Sequence, residues 1–245
     1  RLAQVLRNHY IRDTRRLGAI FTTNVWSFLG PHAISNYYRP VMHLVYMADY
    51  ALFGYSPAGY HATSILFHAL NSVLVLLLGE ALLLSPMVAL LGAALFALHP
   101  IGTESVAWVA GIPELTCACF FLLALWTYAR VRPPRPEATA STGRRPVTTW
   151  PAPLLAVSIV AALLALFSKE TALMLPVALI LYEHFLRESG ESHRRRALFY
   201  LGHVAAVVFY LAMRFYSLGG FQVATNPYGV MPAGQLLLSC VYLVG

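Results

Sequence analysis

Residues 60–98 read YHATSILFHALNSVLVLLLGEALLLSPMVALLGAALFAL, and this run decides the fold. A membrane-spanning helix takes roughly 20 mostly apolar residues. The run is apolar for about two such lengths, and Ser85-Pro86 supplies a break between them. In its first half, His61, Ser64, His68 and Asn71 stand at spacings of 3, 7 and 10 from His61. At roughly 3.6 residues per turn these four share one quadrant of a helix. The opposite side is Ile, Leu, Phe and Val. A lone polar stripe on an apolar helix must face protein or water, because lipid cannot satisfy it. It reads either as the wall of a substrate cavity or as interhelical hydrogen bonding. A metal would want a further ligand nearby, and none can be placed on this stripe; no cofactor is expected, and the sequence leaves dependence on a divalent metal open.

Further apolar runs extend the pattern. Spans are expected over about Glu104–Tyr128, 152–167, 171–186 and 197–213, with a last one starting near Gln235. Residues 41–53 are apolar but short, and fit an interfacial or partly inserted helix. Residues 1–58 therefore read as a long first outer loop with interfacial helices, and 59–245 as a transmembrane helical bundle. The fold class is all-α and polytopic. Composition agrees: 58% of residues are hydrophobic and 11% charged, against roughly 25% charged in a soluble domain.

The formal charge is +7, and Lys169 is the only lysine beside many arginines. These charges sit in connectors, as in the cytoplasmic loops of membrane proteins, so nucleic acid is not the expected partner. The connectors 130–150 and 187–196 are the arginine-rich ones and define the cytoplasmic side. Helix parity then puts residues 1–40, with six arginines, on the other side, against the positive-inside bias. The arginine preference favours a GC-rich bacterial source, hence an inner membrane; a eukaryotic protein of this kind would sit in the endoplasmic reticulum. Cys117, Cys119 and Cys240 lie in apolar runs without zinc or disulfide spacing.

Ionisable groups within apolar spans usually face a cavity or one another. His99-Pro100 ends one helix, and Glu104 stands where the next begins, favoured there by the helix dipole. Glu114 lies about two turns deeper, beside Pro113, which could kink the helix. Lys169-Glu170 separates two apolar runs and reads as an ion pair at a tight turn or as a phosphate contact. Tyr38-Arg39 suits an interface or a phosphate-binding lip. Arg214 ends its span and could snorkel or bind phosphate. No nucleotide-phosphate loop, dinucleotide turn or nucleophile elbow is present.

In order, the chain carries Asn36-Tyr37-Tyr38-Arg39-Pro40, Gly54-Tyr55-Ser56-Pro57-Ala58-Gly59-Tyr60-His61, Leu95-Phe96-Ala97-Leu98-His99-Pro100, Val106-Ala107-Trp108, Ser168-Lys169-Glu170, Ala212-Met213-Arg214, Leu218-Gly219-Gly220 and Asn226-Pro227. This ordered set resembles the membrane portion of multi-spanning proteins with C-terminal tetratricopeptide repeats. That family includes the transmembrane O-mannosyltransferases that modify cadherins, and bacterial relatives. The resemblance implies a GT-C type glycosyltransferase. It would take a sugar, such as mannose, from a polyprenyl-phosphate carrier in the membrane and transfer it to a protein acceptor on the non-cytoplasmic side.

On that resemblance, Arg39, Lys169 and Arg214 are the candidates for the lipid phosphate. Tyr38, His61, His68, His99, Glu114 and Glu170 complete the substrate site, and Glu104 and Asp13 are the candidate catalytic carboxylates. The family's pattern has an acidic pair after its first spanning helix. That helix and pair are expected before Arg1, and the repeat domain after Gly245, so this stretch alone is not expected to be active. A second departure is Gly111-Ile112-Pro113-Glu114, where many relatives have Arg after the Gly. Two other classes use the same residues. A transporter or channel also buries His and Glu, and a non-catalytic anchor would display repeats without the acidic pair.

Overall fold

The computed structural model describes residues 3–30, 33, 35–82, 84–131, 152–186 and 193–220. In chain order the helices are α1 (Ala3–Leu6), α2 (Leu17–Thr22), α3 (Pro40–Phe53), α4 (Pro57–Ala81), α5 (Pro86–Leu98), α6 (Thr103–Ala107), α7 (Ile112–Val131), α8 (Ala152–Ser168), α9 (Leu175–Phe185) and α10 (His193–Leu218). No strand occurs among the described residues. The protein is an all-α membrane bundle. The arginine-rich connectors within 132–151 and 187–192, and the stretch from 221 with Asn226-Pro227, Cys240 and the final expected span, lie outside the described residues.

The local signals are simple. Proline lies in the first turn of α3, α4, α5 and α9, where its missing N–H costs nothing. Ser85 caps α5 by accepting from Val88 N at 3.3 Å. A Cβ on Gly79 would lie 3.0 Å from Ala89 Cβ, so the α4–α5 hairpin closes on two small residues. α7 packs mainly on α8 and α4; α5 lies along α4, and α10 covers α8.

Among the described residues, three stretches are long and apolar enough to cross a membrane: Pro57–Ala81, Val109–Val131 and Phe199–Leu218. A fourth is the pair Pro86–Leu98 and Pro100–Ala107, bent by 47°. This corrects two expectations. The span expected from about Glu104 is interrupted: α6 is short, and the long helix starts only at Ile112. Pro113 therefore opens α7 instead of kinking it. The span expected over 171–186 begins as 3-10 turns at Glu170–Met174, and α9 has 11 residues. At roughly 1.5 Å per residue α9 covers about half of a bilayer core.

The described residues before α4 fold down onto the bundle. Ile11, Ile20, Met42 and Tyr46 are fully buried, and Ile11, Val25, Met42 and Tyr46 pack with Tyr60, Ile112 and Leu115. Polar side chains help anchor the segment. Asn8 Nδ2 donates to His43 Nδ1 at 3.0 Å, and Thr63 donates to the buried Asp49 at 2.5 Å.

Burial pushes the His43 imidazole down to about 4 from 6.5. The unfolded chain therefore takes up this proton first as pH falls. The contribution of neutral His43 is complete above pH 6.5 and is lost as pH drops towards 4, by roughly 3 kcal/mol. Burial raises the Asp49 carboxyl, so its contribution runs the other way and is lost as pH rises through its folded value. Thermal unfolding of wild type and His43→Leu across this window separates the two. The wild type is expected to lose stability more steeply on acidification, and parallel curves would contradict the assignment.

The α6–α7 junction is equally tight. A Cβ at Gly111 would fall 2.5 Å from the Ser105 carbonyl oxygen and 3.0 Å from Ser105 Cα. Backbone cannot swing away as a side-chain tip can. Gly111→Ala is expected to cost roughly 1–3 kcal/mol, read as a lowered unfolding temperature in detergent.

Candidate functional site

α8 ends at Ser168, and Lys169 is extended, with φ −158° and ψ 146°. Successive side chains on extended backbone point to opposite sides. Lys169 and Glu170 thus diverge and take different partners. Lys169 Nζ donates to Glu114 Oε1 at 2.6 Å. Glu170 accepts from Arg39 Nη2 at 3.0 Å and from Arg214 Nη1 at 3.1 Å, one on each oxygen. Arg214 also donates to the Asn36 carbonyl at 2.8 Å and to Tyr210 Oη at 3.3 Å. The Arg39 guanidinium lies over the Tyr37 ring, 4.5 Å from its centre.

Three cations from three separate parts of the chain therefore meet two carboxylates, leaving one positive charge in excess. Arg39 Nε is buried without a hydrogen-bond partner. Burial alone would raise the Glu170 pKa. The Arg39 charge and the bonds from both arginines outweigh it and hold the carboxyl below its usual range. Glu170 is therefore ionised at neutral pH.

Tyr38 stands behind this cluster. It is fully buried, donates to the Phe21 carbonyl at 2.8 Å and meets Phe167 edge-on. The ring presented to Arg39 is that of half-exposed Tyr37.

The polar stripe of α4 faces protein, as its spacing requires. Ser64 and Asn71 are buried, while Ile65, Leu66 and Val73 are exposed. Asn71 Nδ2 donates to the Leu115 carbonyl at 3.0 Å. His68 Nε2 lies 3.0 Å from the Ala97 carbonyl, and its ring stacks on Phe96. His99 caps the turn after α5, its Nδ1 accepting from Ile101 N. A cavity of about 540 Å³ between α4, α5 and α7 is lined by His68, Asn71, His99 and Glu114. His61, His68 and His99 line a neighbouring groove of about 510 Å³. Glu114 also lines a third cavity of about 320 Å³ beside Lys169 and Thr171. The cavity lined by His68 and His99 thus adjoins the Lys169–Glu114 pair.

Two expected residues stand apart. Asp13 accepts from Arg15 N at 3.0 Å and lies 3.9 Å from Arg16 Nε, about half exposed. Glu104 is exposed in the first turn of α6, between Thr103 and Ser105, which line the grooves. Among the described residues no group of His, Cys, Asp and Glu could hold a metal ion.

Sequence reasoning passed over other buried polar contacts. Tyr128 donates to Glu183 at 3.0 Å, and Ser158 lies 3.0 Å from His203 Nε2. Each lies in an apolar run, which was the available signal. Tyr210 and the Asn36 carbonyl had none, because nothing in the residue types announces a contact with Arg214.

Comparison with known proteins agrees with the motifs. Over 141 residues, 51% of this chain and 19% of the relative, the chain is 34% identical to the human protein O-mannosyl-transferase TMTC4. It is 31% identical over 134 residues to the human protein O-mannosyl-transferase TMTC3, covering 54% of this chain and 14% of that one. It is 31% identical over 170 residues to the Drosophila melanogaster protein O-mannosyl-transferase Tmtc1, covering 69% and 18%. The chain spans less than a fifth of the length of these relatives. No family profile and no solved structure matches it. Over the matched stretch, this chain is a relative of the protein O-mannosyl-transferases, in agreement with the family that its ordered motifs resemble.

Proposed function

We propose that the protein containing this chain is a membrane glycosyltransferase. It moves a hexose, mannose by analogy with the names of its relatives, from a polyprenyl-phosphate carrier to a hydroxyl of a protein acceptor on the non-cytoplasmic side. The observation that carries this reading is the cluster of Arg39, Lys169 and Arg214. Arg39 and Arg214 share the single carboxylate of Glu170, leaving one positive charge in excess, Arg39 keeps a buried N–H unpaired, and Lys169, next to Glu170 in the chain, pairs with Glu114. A phosphodiester monoanion supplies both the charge and the acceptor oxygens that this arrangement favours.

In the reaction, the acceptor oxygen attacks the anomeric carbon, and the bond from that carbon to the phosphate oxygen breaks. The electron pair stays on the departing polyprenyl phosphate, whose added charge the three cations stabilise. The acceptor's proton goes to a carboxylate acting as general base. Glu104, exposed between the groove-lining Thr103 and Ser105, is the carboxylate we assign to this role. Asp13 is engaged with Arg15 and Arg16. No metal or cofactor is invoked.

The test is transfer of radiolabelled sugar from polyprenyl-phosphate donors to acceptor peptides by the full-length protein in proteoliposomes. Glu104→Gln, Arg39→Ala and Lys169→Ala are each expected to lower transfer at least tenfold with folding intact. Indifference to all three, or no transfer from any polyprenyl carrier, would move the reading to a transporter or a non-catalytic anchor.

A further inference from the structure

A second concave surface lies beside the N-terminal segment, and it shares no residue with the phosphate cluster. A groove of about 290 Å³ runs between residues 5–6, the start of α4 and the α6–α7 junction. Tyr46, Tyr55, Tyr60 and Trp108 line it, and the rings of Tyr55 and Trp108 are open to an occupant, at 45% and 43% exposure. Its volume sits at the lower edge of small-molecule sites, which run from roughly 300 Å³. Tyr46 donates to the Val109 carbonyl and Tyr60 to the Gly54 carbonyl, both at 3.0 Å. These hydroxyl protons are spent within the protein, so the groove offers mainly ring surface. That suits an apolar side chain better than a sugar, whose hydroxyls need partners.

Arg12 forms the rim. It donates to the Leu6 carbonyl, and its guanidinium lies over the Tyr55 ring, 5.2 Å from the centre. Leu6 and Tyr55 both line the groove. Arg7, Arg15 and Arg16 are exposed close by in the chain, against a single carboxylate, Asp13. In the proposed orientation this charge lies on the non-cytoplasmic side, against the positive-inside bias. An acidic partner accounts for it. Tyr, Trp and Arg are also the residues that anchor protein interfaces. Membrane interfaces use the same rings, but as a belt around the protein, whereas here they wall one groove.

The groove adjoins the carboxylate assigned as general base. His61 and Ala107 line it and also line the neighbouring groove bordered by Thr103. Trp108 N donates to the Glu104 carbonyl at 3.0 Å, which sets the two residues one helical turn apart. Four residues of helix rise about 6 Å. Two residues of extended peptide span about 6.6 Å, and their side chains point to the same side.

We infer that the Tyr55–Trp108 groove is a subsite for the protein acceptor. With the acceptor hydroxyl at Glu104, the groove takes an apolar side chain, best an aromatic one, two residues away along an extended segment, and Arg12 favours an acidic residue beside it. This rests on the glycosyl-transfer reading but fails separately from it.

The full-length protein in proteoliposomes, supplied with polyprenyl-phosphomannose, is given serine peptides with Phe or Ala two residues before or after the serine, flanked by Asp or by Lys. Wild type is expected to use a Phe peptide about tenfold better in kcat/KM than its Ala counterpart, as burial of one ring gives, and to prefer the Asp flanks. Trp108→Ala should bring the Phe preference within about twofold while the KM for the donor stays within about twofold of wild type. Arg12→Glu, an exposed change, should reverse the Asp–Lys preference and keep that for Phe. If no peptide accepts the sugar, the glycosyl-transfer reading fails, and this inference with it. Transfer indifferent to Phe, or a Phe preference that survives Trp108→Ala, overturns the subsite while the transfer reading stands. A raised donor KM in Trp108→Ala with the peptide preference intact gives the groove to the isoprenoid chain and likewise overturns it. If Trp108→Ala does not fold, Arg12→Glu decides, and an unchanged Asp–Lys preference overturns the assignment.

Discussion

Glu170→Ala is expected to destabilise the bundle by roughly 2–4 kcal/mol, the largest single effect on folding predicted for this chain. The carboxylate is shared by Arg39 and Arg214, and all three side chains are only 17–25% exposed. Removing it leaves two guanidinium groups held near one another with no common counter-charge. The loss sits below that of a fully buried pair because some solvent reaches each group. Glu170→Gln keeps the shape and one acceptor, so its loss should be smaller. Added sulfate or phosphate should partly restore Glu170→Ala, because the two arginines then offer an anion site. Thermal unfolding in detergent, with and without the anion, checks this. A variant that melts like wild type, or that gains nothing from the anion, would show that the arginines are solvated independently.

Arg214→Ala is expected to weaken binding of polyprenyl phosphate about a hundredfold, or close to 3 kcal/mol. Arg214 bonds Glu170, the Asn36 carbonyl and Tyr210 at once. It thereby ties α10 to the residues just before α3 while presenting its charge to the site. Its loss removes one cation and frees Arg39 to turn wholly onto Glu170. Arg214→Lys should recover only a minor part, because an ammonium cannot span a carboxylate and a backbone carbonyl as the planar fork does. The check is a dissociation constant for polyprenyl phosphate in nanodiscs, together with Arg39→Ala and the double variant. Coupling between the two changes is expected, since both arginines share Glu170. A constant within about twofold of wild type would remove Arg214 from the phosphate site.

Much of the helical architecture was legible in the chain. The stripe of His61, Ser64, His68 and Asn71 turned to protein because a period of roughly 3.6 leaves an apolar helix no other way to satisfy it. Ser85-Pro86 broke the long apolar run because the serine caps and the proline opens a helix. Pro113 was harder to place, because a proline inside an apolar run can either kink a helix or begin one. The choice depended on Val109–Gly111 packing tightly under Ser105, a contact between backbone segments with no signature in residue type.

The site itself divides in the same way. Arg39, Lys169, Glu170, Arg214 and Glu114 were each legible as costly charges near or within apolar runs, but their pairing was not. Lys169 and Glu170 suggested an ion pair by adjacency, and the extended backbone between them sends the two side chains to opposite partners. Sequence by itself determined which segments prefer lipid, where helices can start and which polar residues need shelter, because those follow from local apolarity, period and capping. Only the tertiary structure decided that Glu170 bridges residues 131 and 44 positions away, and that Asn71 and Glu114 share one cavity. Charge pairing acts through space at about 3 Å, and the chain order carries no record of which distant segments packing will bring that close.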